Sequence, residues 1–222
     1  AEKLGMRITL HNAGGYIKFG NQRAQLDAFS KNKEIDGIIL ASVDYSKMDM
    51  FVEKAVKNGT PVIALINDIF APKIQAKCLL SFNEIGYKVG EFIIQDSREK
   101  DIKICFFAGP GGAGWSSEMY EGFKKAIFKL KKKTQKIIFP KPSYGDTRPE
   151  VQRLRLKFLL DNPENYHMNY LVCNAVAATE AIKFLRKHRI NHPKAKIVST
   201  YITIDTYKAM KQGDIIAAPN LE

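Results

Sequence analysis

The stretch that begins at Asp36 limits the fold more than any other: it reads DGIILASVD, then an amphipathic run to Asn58-Gly59, then TPVIALI. Each apolar run is short, unbroken and rich in β-branched residues, the mark of a strand buried on both faces of a parallel sheet. The segment between them is long enough to carry the chain from one parallel strand to the next. The first run ends in Ser42 and Asp44, and open α/β sheets take their ligands just outside the carboxyl ends of the strands. This window therefore proposes a fold, a rim and two rim residues.

The alternation continues along the chain. Strands are predicted over Met6–His11, Gly37–Ala41, Pro61–Leu65, Lys77–Leu80, Ile102–Phe107, Lys136–Phe139, Tyr170–Cys173, Lys196–Thr200 and Asp214–Ala217. Helices are predicted over Asn21–Lys33, Ser46–Asn58, Glu84–Asp96, Trp115–Lys132, Thr147–Leu160, Ala175–His188 and Ile204–Gln212. Strict β–α order with short connections implies doubly wound parallel sheets with right-handed crossovers. Gly59 and Gly213 sit where helix-ending glycines belong. The polar stretch Gln95–Lys103 is the expected boundary between two like domains, residues 1–98 and 99–218, facing each other across a cleft. Residues 219–222 read as the start of a return crossing or a cloning scar. Ala1–Gly5 reads as the last turn of a helix, so the first domain is expected to lack its first strand and its closing elements.

With 45% hydrophobic and 26% charged residues over 222 positions, the balance is that of a globular chain. No apolar run is long enough to cross a membrane as a helix. The net charge of +12 raises nucleic acid or an acidic surface as partners. The lysines fall at helical surface spacing, however, and the dense block Lys129–Lys136 sits at a helix end, where cations suit the dipole and stay solvated; nucleic acid is not expected. Cys78, Cys105 and Cys173 are odd in number and lack CxxC spacing, so they read as small buried hydrophobes, with no disulfide framework and no metal site.

Gly109-Pro110-Gly111-Gly112-Ala113-Gly114 matches the dinucleotide pattern G-x-G-x-x-G between a strand and a helix. The carboxylate that should bind the ribose about 20 residues on is missing, where the chain reads KKKTQKIIFPKP. No nucleotide cofactor is expected; the loop serves to bring Trp115 to the rim, and its backbone N–H groups could receive an oxygen-bearing group. His11, His167, His188 and His192 are scattered, with no HExxH, G-x-S-x-G or metal spacing. The chain is not read as an enzyme. Tyr16, Phe82, Trp115 and Tyr201 fall at predicted strand ends, and aromatics converging from several loops make a cage for a methylated ammonium-type group. Core packing is the alternative role for each.

Taken in order, DGIILASVD…NGTPVIALI, FNEIGYKVGEF, KICFFAGPGGAG…EGFKKAI, YLVCNAVAATEAI and KIVSTY…YKAMKQGDIIAAP resemble the type I periplasmic binding proteins over nearly the whole chain. The resemblance implies two α/β domains joined by a hinge and a place in the periplasm. Sugar binders of that group carry Asp-Arg after the PVI strand, an Arg after the glycine-rich loop, an Asn-Asp pair and a further Asp. Here those places hold Ile66-Asn67, Ser117, Asn174-Ala175 and Tyr201, which would leave sugar hydroxyls unpaired. Ala13-Gly14-Gly15-Tyr16, Ser42-Val43-Asp44, Gly109-Pro110 with Trp115, Ala175-Val176-Ala177 and Ser199-Thr200-Tyr201 resemble instead the TorT-type sensors of trimethylamine N-oxide. That likeness implies a ligand site of Tyr16, Asp44, Phe82, Trp115, Asn174 and Tyr201. It also implies closure on the ligand and signalling to a membrane histidine kinase, without insertion into the membrane. The alternatives are a solute-binding subunit serving a transporter permease, for a sugar or another small osmolyte, and the effector-binding core of a cytoplasmic repressor.

Overall fold

The computed structural model describes residues 2–139, 141–188 and 191–220. The chain forms two compact units, Ala1–Leu79 and Leu80–Glu222.

In the first unit, β1 (Ile38–Leu40), β2 (Val62–Ile66) and β3 (Ala76–Leu79) form a parallel sheet in the order β1-β2-β3. Ile39 stands opposite Ile63, and Leu65 opposite Cys78. Helices α1 (Phe19–Phe29) and α2 (Asp49–Lys57) cover one face, where Leu26, Val52 and Ala55 pack on Ile38, Leu40, Val62 and Ala64. The other face is open: Ile39 is 60% and Ile63 39% exposed. The expectation of strands buried on both faces is therefore corrected for this sheet. Met6–His11 forms no strand either. An alternating run becomes a strand only against a hydrogen-bonding edge, and this one stays in solvent, with Leu10 90% exposed. Ahead of it, Glu2–Leu4 is a single 3₁₀ turn.

The second unit is doubly wound. β4 (Asp101–Phe107), β5 (Lys136–Ile138), β6 (Tyr170–Cys173) and β7 (Lys196–Ser199) are all parallel, in the order β5-β4-β6-β7. Side chains alternate across a strand, so β4 feeds two cores. Ile104 and Phe106 face α3 (Phe82–Asp96) and α4 (Gly114–Leu130). Cys105 and Phe107 face α5 (Pro149–Leu160), α6 (Ala175–Lys187) and α7 (Ile204–Lys211). Asp214–Ala217 pairs with β7 through one bridge, Val198 to Ala217, supported by the Ile216 N–H on the Ile197 carbonyl at 2.9 Å. Residues 221 and 222 lie outside the described residues.

The units part between Leu79 and Leu80, not within Gln95–Lys103. The reason is the packing of α3, which lies directly against α4. A Cβ on Gly86 would run into the Met119 carbonyl, and one on Gly122 into the Asn83 carbonyl. One on Gly90 would stand 2.7 Å from the Ala126 methyl. This backbone approach binds α3 to the second unit, and the polar stretch after it is the α3–β4 link. Of the cysteines, Cys105 and Cys173 are buried, and desolvation pushes the Cys105 thiol up to about 12. Cys78 is exposed, against expectation, because β3 edges the open sheet.

Candidate functional site

Each unit presents a rim at the carboxyl ends of its strands. In the first, Gly14 and Gly15 adopt φ of 92° and 108°, a region that glycine enters without penalty. They turn the chain so that Tyr16 leads into α1. Asn21 of α1 donates to the Ala13 carbonyl at 3.0 Å, and Gln25 to that of Asn12 at 3.2 Å, tying the loop to the helix. The half-buried Tyr16 hydroxyl accepts from Asn67 Nδ2 at 3.3 Å, and the same amide donates to the Ser42 carbonyl at 2.9 Å. The loop before α1 and the loops after β1 and β2 thus meet at Asn67, directly after Ile66, a non-glycine residue held at φ 65°.

Gln22 performs a second bridging task. Its amide donates to Ala41 O at 2.8 Å and accepts from Val43 N–H at 2.9 Å, fixing the loop after β1 to α1. Asp44 is committed to its own loop: its carboxylate accepts from the backbone N–H of Ser46 and Lys47 at 3.0 and 3.1 Å and from Lys47 Nζ at 2.8 Å. Burial alone would raise its pKa. The bonds from Lys47 and Ser46 outweigh burial and hold it below the ordinary carboxylate value.

The second rim is aromatic. Phe82 opens α3 just after Ser81, whose hydroxyl caps the helix by accepting from Glu84 N–H at 3.3 Å. Phe82 is buried, so it acts as a floor, with its ring 6.1 Å from that of Trp115. Trp115, the second residue of α4, lays its six-membered ring over Gly109, leaving no room for a Cβ there. Tyr144 comes from the turn after β5. That turn is held by Ser143 N–H on the Phe106 carbonyl at 2.8 Å and Gly145 N–H on the Gly109 carbonyl at 3.0 Å. Trp115, Tyr144 and Tyr201, all half-buried, pack on one apolar cluster that includes Phe82, Phe106 and Ala108.

Asn174 is buried, and its side chain serves the fold: Oδ1 accepts from Ala177 N–H at 3.0 Å as the cap of α6. Beside Tyr144, Asp146 is also buried. Its Oδ1 accepts from Arg148 Nε and N–H, both at 3.0 Å, while Oδ2 has no partner among the described residues. The structure therefore brings Trp115 and Tyr201 onto one cluster above Phe82, and places Tyr16 on the first unit's rim. It sets Asp44 and Asn174 to local structural bonds. Asn67 is read from the sequence as standing at a place where sugar binders carry a charged group, and Gln22 and Tyr144 are not singled out. The signal for Asn67 was its place directly after a strand, and for Tyr144 the P-S-Y-G-D turn after β5. Gln22 carried none beyond its helix. Among the described residues, no group of three or more His, Cys, Asp or Glu could hold a metal ion, and no helix is long and apolar enough to cross a membrane.

The sequence pattern of the periplasmic binding protein domain matches residues 1–218. The chain belongs to that family. It is 31% identical to the periplasmic protein TorT of Escherichia coli O157:H7 over 219 residues, 98% of this chain and 60% of that protein. It thus spans about 60% of the length of the curated relatives it matches. Among solved structures, it is similar to an ABC transporter solute-binding protein from Bradyrhizobium sp. BTAi1 with bound bis-tris, at 29% identity and a TM-score of 0.70, over 98% of this chain and 63% of that one. The TorS sensor domain–TorT complex without ligand gives a TM-score of 0.78 at 23% identity, covering 96% and 70% of the two chains. At that identity the last likeness concerns the fold alone.

Proposed function

We propose that the chain is the ligand-binding part of a periplasmic sensor, that its ligand is trimethylamine N-oxide or a related small methyl-rich compound, and that a membrane histidine kinase reads the bound state. The observation that carries this reading is the second rim. Half-buried Trp115, Tyr144 and Tyr201 rest on one apolar cluster, and Tyr201 stands where the resemblance to sugar binders would put an Asp. Aromatic faces attract a polarised methylated nitrogen through their quadrupole. The relation to TorT supports the same direction.

Signalling follows if the ligand binds one conformation of the protein better than another, since a differential affinity of a few kcal/mol shifts a two-state population decisively. The test is isothermal titration of trimethylamine N-oxide, with ribose and trimethylamine as controls. Saturable heat with the N-oxide alone supports the sensor, and heat with ribose alone overturns it. A second reading, a solute-binding subunit of a transporter, is favoured by the 29% identity to the Bradyrhizobium protein. Co-purification with a permease rather than with a kinase sensor domain selects it.

A further inference from the structure

Charge is unevenly shared along the chain. Residues 80–222 hold 24 of the 35 basic and 15 of the 23 acidic side chains, so +9 of the net +12 lies in the second unit. Its topology then sorts those charges. Helices that connect parallel strands run back against them, so helix C-termini and strand N-termini share the edge of the sheet opposite the aromatic rim. On that edge Arg98 and Lys100 follow α3, Lys131–Lys133 follow α4 and Lys136 opens β5, all exposed. From the other face come exposed Lys157, Arg186 and Lys187 in the last turns of α5 and α6, with Lys194 and Lys196 at β7.

Four of the acids at this edge are engaged, while exposed Asp101, opposite Lys136, and exposed Glu164 are in no ion pair among the described residues. Asp96 binds Lys196 at 2.7 Å, Asp161 binds Lys157 at 2.5 Å, Glu99 binds Lys194 at 3.2 Å and Asp214 binds Arg186 at 2.8 Å. Among the described residues no ion pair involves Lys100, Lys131, Lys132, Lys133 or Lys136. The lysine turn is nevertheless fixed. Buried Gln135 accepts from Lys132 N–H at 3.0 Å and donates to the Glu99 carbonyl at 3.4 Å.

Cations in a last helical turn complement the helix dipole, which accounts for Lys129, Lys157 and Lys187. It does not account for the Lys131–Lys133 turn, nor for two phenylalanines at the same edge. Phe128 and Phe158 each stand two residues before the end of their helix, on helices that cover opposite faces of the sheet. They are 57% and 85% exposed. A broad cationic field flanked on both sides by solvent-facing rings matches a flat anionic interface that is apolar just below its surface.

We propose that this edge of the second unit adsorbs to an anionic phospholipid surface, with the lysines on the headgroups and Phe128 and Phe158 at the headgroup–acyl boundary. Adsorption would hold the protein beside membrane partners while leaving the aromatic rim, at the other end of the sheet, free for ligand. The experiment is co-sedimentation of the chain with vesicles of phosphatidylglycerol or of phosphatidylcholine, at low and high ionic strength. The expected result is partition onto phosphatidylglycerol only, falling steeply with salt. The triple variant K131A/K132A/K133A weakens it roughly 100-fold, about 5-fold per lysine. The F128A/F158A variant weakens it about 10-fold while keeping the salt dependence. These side chains are exposed, and circular dichroism confirms that both variants fold. No partition onto phosphatidylglycerol, equal partition onto phosphatidylcholine, or undiminished binding by the triple variant overturns the proposal. Retention on polyglutamate without partition onto vesicles also overturns it, assigning the edge to an acidic protein.

Discussion

The two sheets are built from strands of the same character, yet they are buried differently. β4 and β6 are covered on both faces, and every residue of β6 is buried. β1 and β2 show the same β-branched, unbroken runs, but α1 and α2 cover one face, and Ile39 and Ile63 look into solvent on the other. A continuous apolar run thus states that both faces of a strand require cover; it does not say which segment provides it. The rims differ in a parallel way. The first is a polar network centred on Asn67 and Gln22, whose amides tie the rim loops to one another. The second is an aromatic shelf resting on a core, suited to methyl groups.

The largest expected effect lies in the covered sheet. The Phe123 ring is fully buried, 5.0 Å from that of Phe106 and 5.7 Å from that of Phe139. Phe123→Ala should lower stability in urea by about 3–5 kcal/mol through lost burial and the cavity left behind. Next comes the helix contact that assigns α3 to this unit. Gly122→Ala sets a methyl group against the Asn83 carbonyl, which is backbone and cannot swing aside, and should cost about 1–3 kcal/mol.

A third effect is read from pH. Fully buried His192 rests its Nε2 3.0 Å from the Leu160 carbonyl, while Nδ1 has no partner among the described residues. Burial holds its pKa below the ordinary 6.5, and His188 and His167 add to that. The Leu160 carbonyl and, more weakly, Asp161 act the other way. The folded state therefore prefers the neutral ring. That stability is complete above the unfolded pKa and is lost as pH falls below about 6.5. Urea midpoints should decline on acidification through this window, and His192→Phe should flatten the decline. Asp96 and Glu180, both held below their ordinary values, add a separate loss at lower pH. The smallest effect sharpens the contrast between the sheets. Ile63→Thr on the open face should change stability by about 0.5 kcal/mol or less, and a loss as large as that of Phe123→Ala would show that this face is covered after all.

The order and type of the elements were legible because hydrophobic period and glycine placement are local signals, as in the KICFF run of β4 and Gly59 after α2. Met6–His11 was misread because its alternation says nothing about whether a pairing edge is present. The boundary between the units was misplaced because polar composition drew the eye to Gln95–Lys103. The informative signal was the glycine pairing of EIGYKVGEF with EGFKKA, which permits helix backbones to touch. At the site, aromatic residues at strand ends could be found by position. The side chains that the loops consume, Asp44 and Asn174, could not be told from ligand groups, since a carboxylate or amide looks the same in sequence whether it binds a solute or its own backbone.

The chain has one tryptophan, Trp115, so its fluorescence reports the aromatic rim alone. Titrating trimethylamine N-oxide while following that emission tests the account most directly. A saturable change that matches the calorimetric affinity and is lost in Tyr201→Ala is the predicted result. Calorimetric binding with the Trp115 emission unchanged would contradict it and place the ligand away from the rim.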